Sequence, residues 1–63
     1  MNNLKLWRTA KELNQRQLAG MINIHPSAIS NIEKGHVKAW PKIMKDLSEA
    51  LEVDEKELFP EGW

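Results

Sequence analysis

The strongest constraint on this fold is a pair of helix starts set close together, and the first of them is the stretch LNQRQL. Asn14 can cap a helix, and Gln17 stands three residues later, which is the spacing of a capping box. Leu13 and Leu18 flank the box with the spacing of a hydrophobic staple. The stretch therefore predicts a helix over about residues 15–22.

The second start, IHPSAI, follows almost at once. Pro26 takes the first helical position, where its missing N–H costs nothing, and His25 stands where a cap belongs. Ile24 and Ile29 repeat the staple spacing, and Gly35 is placed to end the helix in the left-handed conformation. Only three or four residues remain between the two helices, which is the length of a helix-turn-helix connection.

The rest of the chain also has helical periodicity, and no stretch alternates apolar and polar residues as a half-buried strand does. A first helix over about residues 3–12 begins beside an asparagine that can accept from its free amides. Its inner face carries Leu4, Trp7 and Ala10. We therefore predict an all-α fold.

Two more helices complete the pattern. The fourth opens at Pro41, and a short fifth combines a staple with a second capping box, from Asp54 to Glu57, before Pro60 stops it. The inner face of the fourth helix carries Ile43, Met44, Leu47, Ala50 and Leu51. We expect one domain of five helices over residues 1–63.

Charge divides the chain, although the net charge is zero. Residues 1–45 hold eight Lys and Arg against two Glu, and residues 46–63 hold one Lys against seven Asp and Glu. Such an asymmetry points to a polyanionic partner, and it equally fits two solvated faces that bind nothing.

Composition excludes several classes of site. There is no cysteine for disulfides or thiolate metal sites, and His25 and His36 are too few for another metal site, so we expect no cofactor. No apolar run approaches the roughly 20 residues that span a bilayer, and the first six residues do not resemble a signal peptide. We expect a cytoplasmic protein with no membrane partner.

Three segments, LNQRQLA, IHPSAISNIEKG and LSEALEVDEKELF, resemble in this order the small DNA-binding domain of the Cro and repressor helix-turn-helix family. The resemblance runs without gaps from Leu4 to Phe59. It rests on the combination of a glutamine that opens the second helix, Leu-Ala within it, and the pattern Ile-x-x-Ile-Glu-x-Gly that closes the third. It implies a lambda-repressor-like fold whose helix-turn-helix spans about residues 15–35.

The resemblance also implies which residues meet double-stranded DNA. The third helix would lie in the major groove, with Pro26, Ser27 and Asn31 near base edges, and Asn31 is suited to pair with adenine. Gln15 stands where the family has a glutamine that binds a phosphate. The expected DNA-binding set is Gln15, Arg16, Pro26, Ser27, Ser30, Asn31, Lys34, Lys38 and Lys42. Without the resemblance, the same residues could form an ordinary solvated surface.

Arg8 and Glu33 are assigned to structure instead. In similar proteins an arginine of the first helix pairs with the glutamate that precedes the terminal glycine of the third. A planar guanidinium suits a bidentate carboxylate. We therefore expect a structural ion pair, whose loss is costly if it is buried.

The leading hypothesis is a bacterial or phage transcriptional regulator, a repressor that binds a palindrome as a weak homodimer through its C-terminal helices, near residues 55–63. The alternative is a protein-interaction adaptor, or an antitoxin-like partner, that kept the fold and reads no DNA sequence. An enzyme is not expected, because no nucleophile, base and orienting group are paired and the chain is too small for a deep pocket. No small-molecule ligand is evident.

Overall fold

The computed structural model describes residues 2–61 and folds them into five α-helices, with no strand among these residues. The helices are α1 (Leu4–Ala10), α2 (Gln15–Ile22), α3 (Pro26–Glu33), α4 (Pro41–Leu51) and α5 (Glu55–Leu58). Their number and order confirm the prediction of an all-α, five-helix fold. None of the helices within residues 2–61 has the length and apolar content that crossing a bilayer requires.

One apolar core joins all five helices. α3 packs on α1 and α2, while α4 packs on α2 and α5. The predicted inner face of α4 is confirmed, because Ile43, Leu47 and Leu51 are buried and Met44 and Ala50 pack against them. The largest fully buried side chains are Leu4, Leu18, Ile29, Ile32, Ile43, Leu47, Leu51 and Leu58. Every helix contributes at least one of these residues.

The start of α2 forms as the sequence predicts. Asn14 Oδ1 accepts from the backbone N–H of Gln17 at 2.7 Å, and Gln17 Oε1 accepts from the N–H of Asn14 at 2.8 Å. Leu18 is fully buried, and Leu13 packs against the core. The capping box and the staple are therefore both present, and α2 has the predicted bounds.

Four residues end or link helices with a positive φ, and three of them are not glycine. Gly35 after α3 has φ 77° and Asn23 after α2 has φ 62°, as predicted. Glu12 and Glu52 adopt the same conformation with φ 60° and φ 58°. A glutamate Cβ is strained there by roughly 1–2 kcal/mol, so the ends of α1 and α4 carry a local cost.

The asparagine that caps α1 is Asn2, whose Oδ1 accepts from the N–H of Leu4 at 3.0 Å. Asn3 has a different role, since it ties the start of α1 to α5. Its backbone N–H donates to Leu58 O at 2.8 Å, and its side-chain amide donates to Glu57 O at 3.0 Å. Asn2 therefore caps α1 locally, and Asn3 connects the start of α1 to α5.

The prediction is wrong in details of α1 and α5. α1 ends at Ala10 rather than near residue 12, and Ala10 is exposed rather than on the inner face. At α5, Asp54 Oδ1 accepts from the N–H of Lys56 at 2.9 Å instead of forming a capping box with Glu57. Aspartate commonly closes such a two-residue side-chain turn, which suffices for a helix of four residues.

Gly20 provides a test of α2. It is exposed inside the helix, and a Cβ added there meets nothing within 4 Å. Gly20→Ala should stabilise the domain by roughly 1 kcal/mol, because it removes the helix penalty of glycine, and should raise Tm by about 4–8 °C in thermal unfolding followed by circular dichroism. The matched control, Gly35→Ala at φ 77°, should lower Tm. Equal shifts for both variants would contradict these backbone assignments.

Candidate nucleic-acid interface

α2 and α3 are joined by a turn of three residues, Asn23, Ile24 and His25. The left-handed Asn23 redirects the chain. The N–H of Ile24 then donates to Ala19 O at 3.0 Å and closes the end of α2. Because Ile24 also packs against the core, the two helices and the turn form one packed unit.

His25 caps α3 through its side chain. Nδ1 accepts from the backbone N–H of Ser27 at 3.1 Å and lies 2.9 Å from Ser27 Oγ. An amide N–H can only donate, so in this arrangement Nδ1 bears a lone pair and the ring proton is on Nε2. The hydroxyl of Ser27 lies within hydrogen-bonding distance of the same nitrogen, and a hydroxyl can both donate to and accept from a further partner.

The outward face of α3 is polar and uncharged over its first two turns. Ser27 is exposed, and Pro26, Ser30 and Asn31 are half-buried. Within residues 2–61, the side-chain amide of Asn31 makes no hydrogen bond. Lys34 is exposed directly after the helix. This face can therefore offer a donor and an acceptor from one amide, next to a positive charge.

Glu33 supplies the only carboxylate of α3, and it is turned away from that face. Arg8 Nε lies 2.6 Å from Glu33 Oε2, and Arg8 Nη2 donates to Glu33 Oε1 at 3.3 Å. The side chains are only 9% and 4% exposed. Arg8 Nη1 also donates to Leu13 O at 2.8 Å, so the guanidinium joins α1, α3 and the segment before α2.

Gln15 takes part in this cluster. Its Nε2 donates to Glu33 Oε1 at 3.0 Å, which the sequence analysis missed. Gln15 and Glu33 are 18 residues apart, so local sequence spacing cannot predict their contact. It becomes visible only when the fold places Glu33 beside the start of α2. A primary amide has two N–H groups and a carbonyl oxygen, so one bond to Glu33 leaves further hydrogen-bonding capacity.

The starts of α2 and α3 border one open hollow on the surface. It is lined by Arg8, Asn14, Gln15, Arg16, His25 and Pro26. The positive ends of two helix dipoles and the exposed Arg16 thus share one surface, and such surroundings favour an anion. Arg8 adds little to this charge, because Glu33 neutralises it.

The three expected lysines follow α3 in the chain. Lys34, Lys38 and Lys42 are exposed after α3, in the following loop and in the first turn of α4. The loop is held to α3 because Asn31 O accepts from the N–H of His36 at 2.9 Å. Lys42 Nζ lies 2.9 Å from Asp46 Oδ2, but its side chain is 79% exposed, so solvent weakens this pair.

A short turn between two packed helices, with a polar helix face beside it, defines the helix-turn-helix class. A family model described as "Helix-turn-helix" matches residues 4–58, so the chain belongs to the Cro/C1-type helix-turn-helix family. No curated protein sequence matches the chain. Since this family binds DNA, the surface built around α3 belongs to a DNA-binding helix-turn-helix domain.

The buried ion pair provides a test of the scaffold. Arg8→Ala should lower the free energy of unfolding in urea by roughly 3–5 kcal/mol, because it leaves the carboxylate of Glu33 buried without its partner. The matched control is Lys42→Ala at the exposed pair, which should cost at most about 1 kcal/mol. The double variant Arg8→Met/Glu33→Leu should be more stable than Arg8→Ala. Similar losses for Arg8→Ala and Lys42→Ala would show that burial of the Arg8–Glu33 pair has no energetic consequence.

Proposed function

We propose that the protein is a sequence-specific transcriptional regulator, a repressor that acts as a homodimer on a palindromic operator. The observation that carries the proposal is the outward face of α3. Its polar groups are neutral, its single carboxylate is bound inward by Arg8, and Lys34 follows it. A helix face of this kind can enter the major groove without bringing a carboxylate toward the phosphates.

Base reading falls to the first turns of α3. Asn31 pairs bidentately with the N6 and N7 edge of adenine, for which its amide has the right donor and acceptor. Ser27 can donate to or accept from a base edge, so it discriminates between bases less sharply than Asn31. Pro26 contacts a thymine methyl group. Ser30, which is half-buried and three residues after Ser27, hydrogen bonds at the edge of the groove.

Phosphate contacts flank this reading face on both sides. At the starts of α2 and α3, Gln15 donates its second amide N–H to a phosphate and Arg16 adds charge. On the other side Lys34, Lys38 and Lys42 bind the backbone beyond the groove. The helix-turn-helix is thereby held across the groove at two places.

The acidic end of the chain is proposed to face away from DNA and to form the dimer contact, over residues 55–63. Glu55 and Glu57 are exposed on α5, and Asp54 before it is exposed as well. Trp63, an interface residue type, lies outside the described residues. Half-sites about one helical turn apart then place both copies of α3 on one side of the duplex.

We further propose that residues 1–63 act as a single DNA-binding domain, without enzymatic activity and in the cytoplasm. The alternative function is an adaptor or antitoxin-like partner. It is favoured by the short side chains of Ser27 and Asn31. The exposed lysines around α3 favour DNA.

Two single variants separate reading from backbone binding. Asn31→Ala should relax the preference at one base pair, by roughly 1–3 kcal/mol, and leave the salt dependence of affinity nearly unchanged. Lys38→Ala should weaken binding to all sequences alike and reduce the slope of log affinity against log salt by about 1. Fluorescence anisotropy over a salt series measures both quantities. If the two variants behave alike, the assigned roles are wrong.

Selection from a random duplex pool at physiological salt tests the function itself. We expect an enriched palindrome whose half-sites are about 10 base pairs apart. The unfolded fraction is checked by circular dichroism at the same concentration. A folded protein that enriches no sequence would favour the adaptor function.

A further inference from the structure

Trp40 has a large apolar side chain that is not buried in the core. It is the residue before α4 and is 46% exposed, although its neighbour Ala39 is buried. As the N-cap residue it makes no side-chain hydrogen bond to the helix, since an indole has only a donor. Capping therefore does not explain a tryptophan at this position.

The surroundings of Trp40 carry positive charge. Lys38 and Lys42 stand two residues before and after it, and both are exposed. Asp46 binds Lys42 from the next turn of α4, but that lysine remains largely in solvent. An exposed apolar ring with a lysine two residues away on each side in the sequence is complementary to a surface that alternates apolar and anionic groups. The deoxyribose and phosphate of a DNA backbone have this alternation.

The position of Trp40 is continuous with the proposed interface. The loop that leads to it is bound to α3, because Asn31 O accepts from the N–H groups of His36 at 2.9 Å and Val37 at 3.4 Å. The same residue, Asn31, is the proposed base reader. The buried Ala39 then anchors the end of the loop in the core. Trp40 therefore follows a loop that is bound to α3 at its start and anchored in the core at its end.

We propose that Trp40 packs its indole ring on a deoxyribose of the DNA backbone beside the groove and donates Nε1–H to the adjacent phosphate. This rests on the proposed function and adds an apolar contact to it. The contact is independent of sequence, because every nucleotide carries the same sugar. It also releases no counterion beyond those displaced by the lysines.

Equilibrium binding to a duplex of about 20 base pairs, two helical turns, tests the contact. Trp40→Ala should weaken binding about tenfold, which corresponds to about 1.4 kcal/mol, on selected and scrambled duplexes alike and with an unchanged salt slope. Trp40→Phe should recover part of the loss, since the ring remains. The matched control is Leu6→Ala on α1, a side chain 61% exposed outside the proposed interface, which should bind as the parent chain does.

Tryptophan fluorescence gives a second, independent readout. Emission of the parent chain should change when the duplex is added, and acrylamide quenching should fall as the ring becomes covered. Both changes should be clearly smaller in Trp40→Phe, which retains Trp7 and Trp63, because only the part contributed by Trp63 in the proposed dimer contact remains. The fluorescence experiment does not depend on the stability of Trp40→Ala. That stability is measured separately by thermal unfolding.

The outcomes separate the two proposals. If the parent chain binds DNA and Trp40→Ala binds equally well, the Trp40 contact is overturned and the function stands. If the parent chain binds no duplex, both are overturned. A loss of affinity that is accompanied by loss of dimer in sedimentation, without a fluorescence change on binding DNA, would place Trp40 against a second copy and overturn the contact as well.

Discussion

Both the fold and the proposed binding face depend on the pairing of Arg8 with Glu33. The pair joins α1 to α3, and the carbonyl of Leu13 and the amide of Gln15 extend it to the start of α2. Burial of two charges is favourable only when their hydrogen-bonding capacity is used. In residues 2–61 no buried side-chain nitrogen or oxygen lacks a partner, so this condition is met. The same pairing turns the carboxylate of α3 away from its outer face, and one interaction thereby serves structure and binding together.

The helices themselves are too short to be stable alone. The longest, α4, has 11 residues and α5 has only four, whereas isolated helices below about 12–15 residues are marginal in water. Caps such as Asn14 and His25 determine where the helices begin, and the shared core makes them persist. Because the core is small, the strain of each left-handed glutamate at a helix end is a noticeable fraction of the free energy of unfolding. The domain combines a well-specified start for α2 and α3 with strained ends for α1 and α4.

The sequence predicted the features that depend on contacts between near neighbours in the chain, and it did not predict those that depend on long-range contacts. The bounds of α2, the capping role of His25 and the inner face of α4 were predicted, because each depends on residues within one or two helical turns. The separate roles of Asn2 and Asn3 were not predicted, because Asn3 binds α5, which lies more than 50 residues later in the sequence. The bond from Gln15 to Glu33 is of the same kind. The candidate site was located through a family resemblance, and its residues lie around α3, but local pattern alone cannot tell a reading face from a solvated one.

A net charge of zero does not weigh against a polyanionic partner, because charges act locally in salt. At physiological ionic strength the screening length is about 8 Å, while the domain extends 25 Å along its longest axis. Phosphates beside α3 therefore respond to Lys34 and Lys38, and the acidic residues of α5 influence mainly what lies near them. At 0.01 M salt the screening length grows to about 30 Å and exceeds the domain. The acidic residues of α5 then repel the phosphates across the whole domain. A further decrease in salt concentration therefore increases the affinity by less and less. The divided charge thus favours one orientation on DNA, with α3 toward the phosphates and α5 away from them.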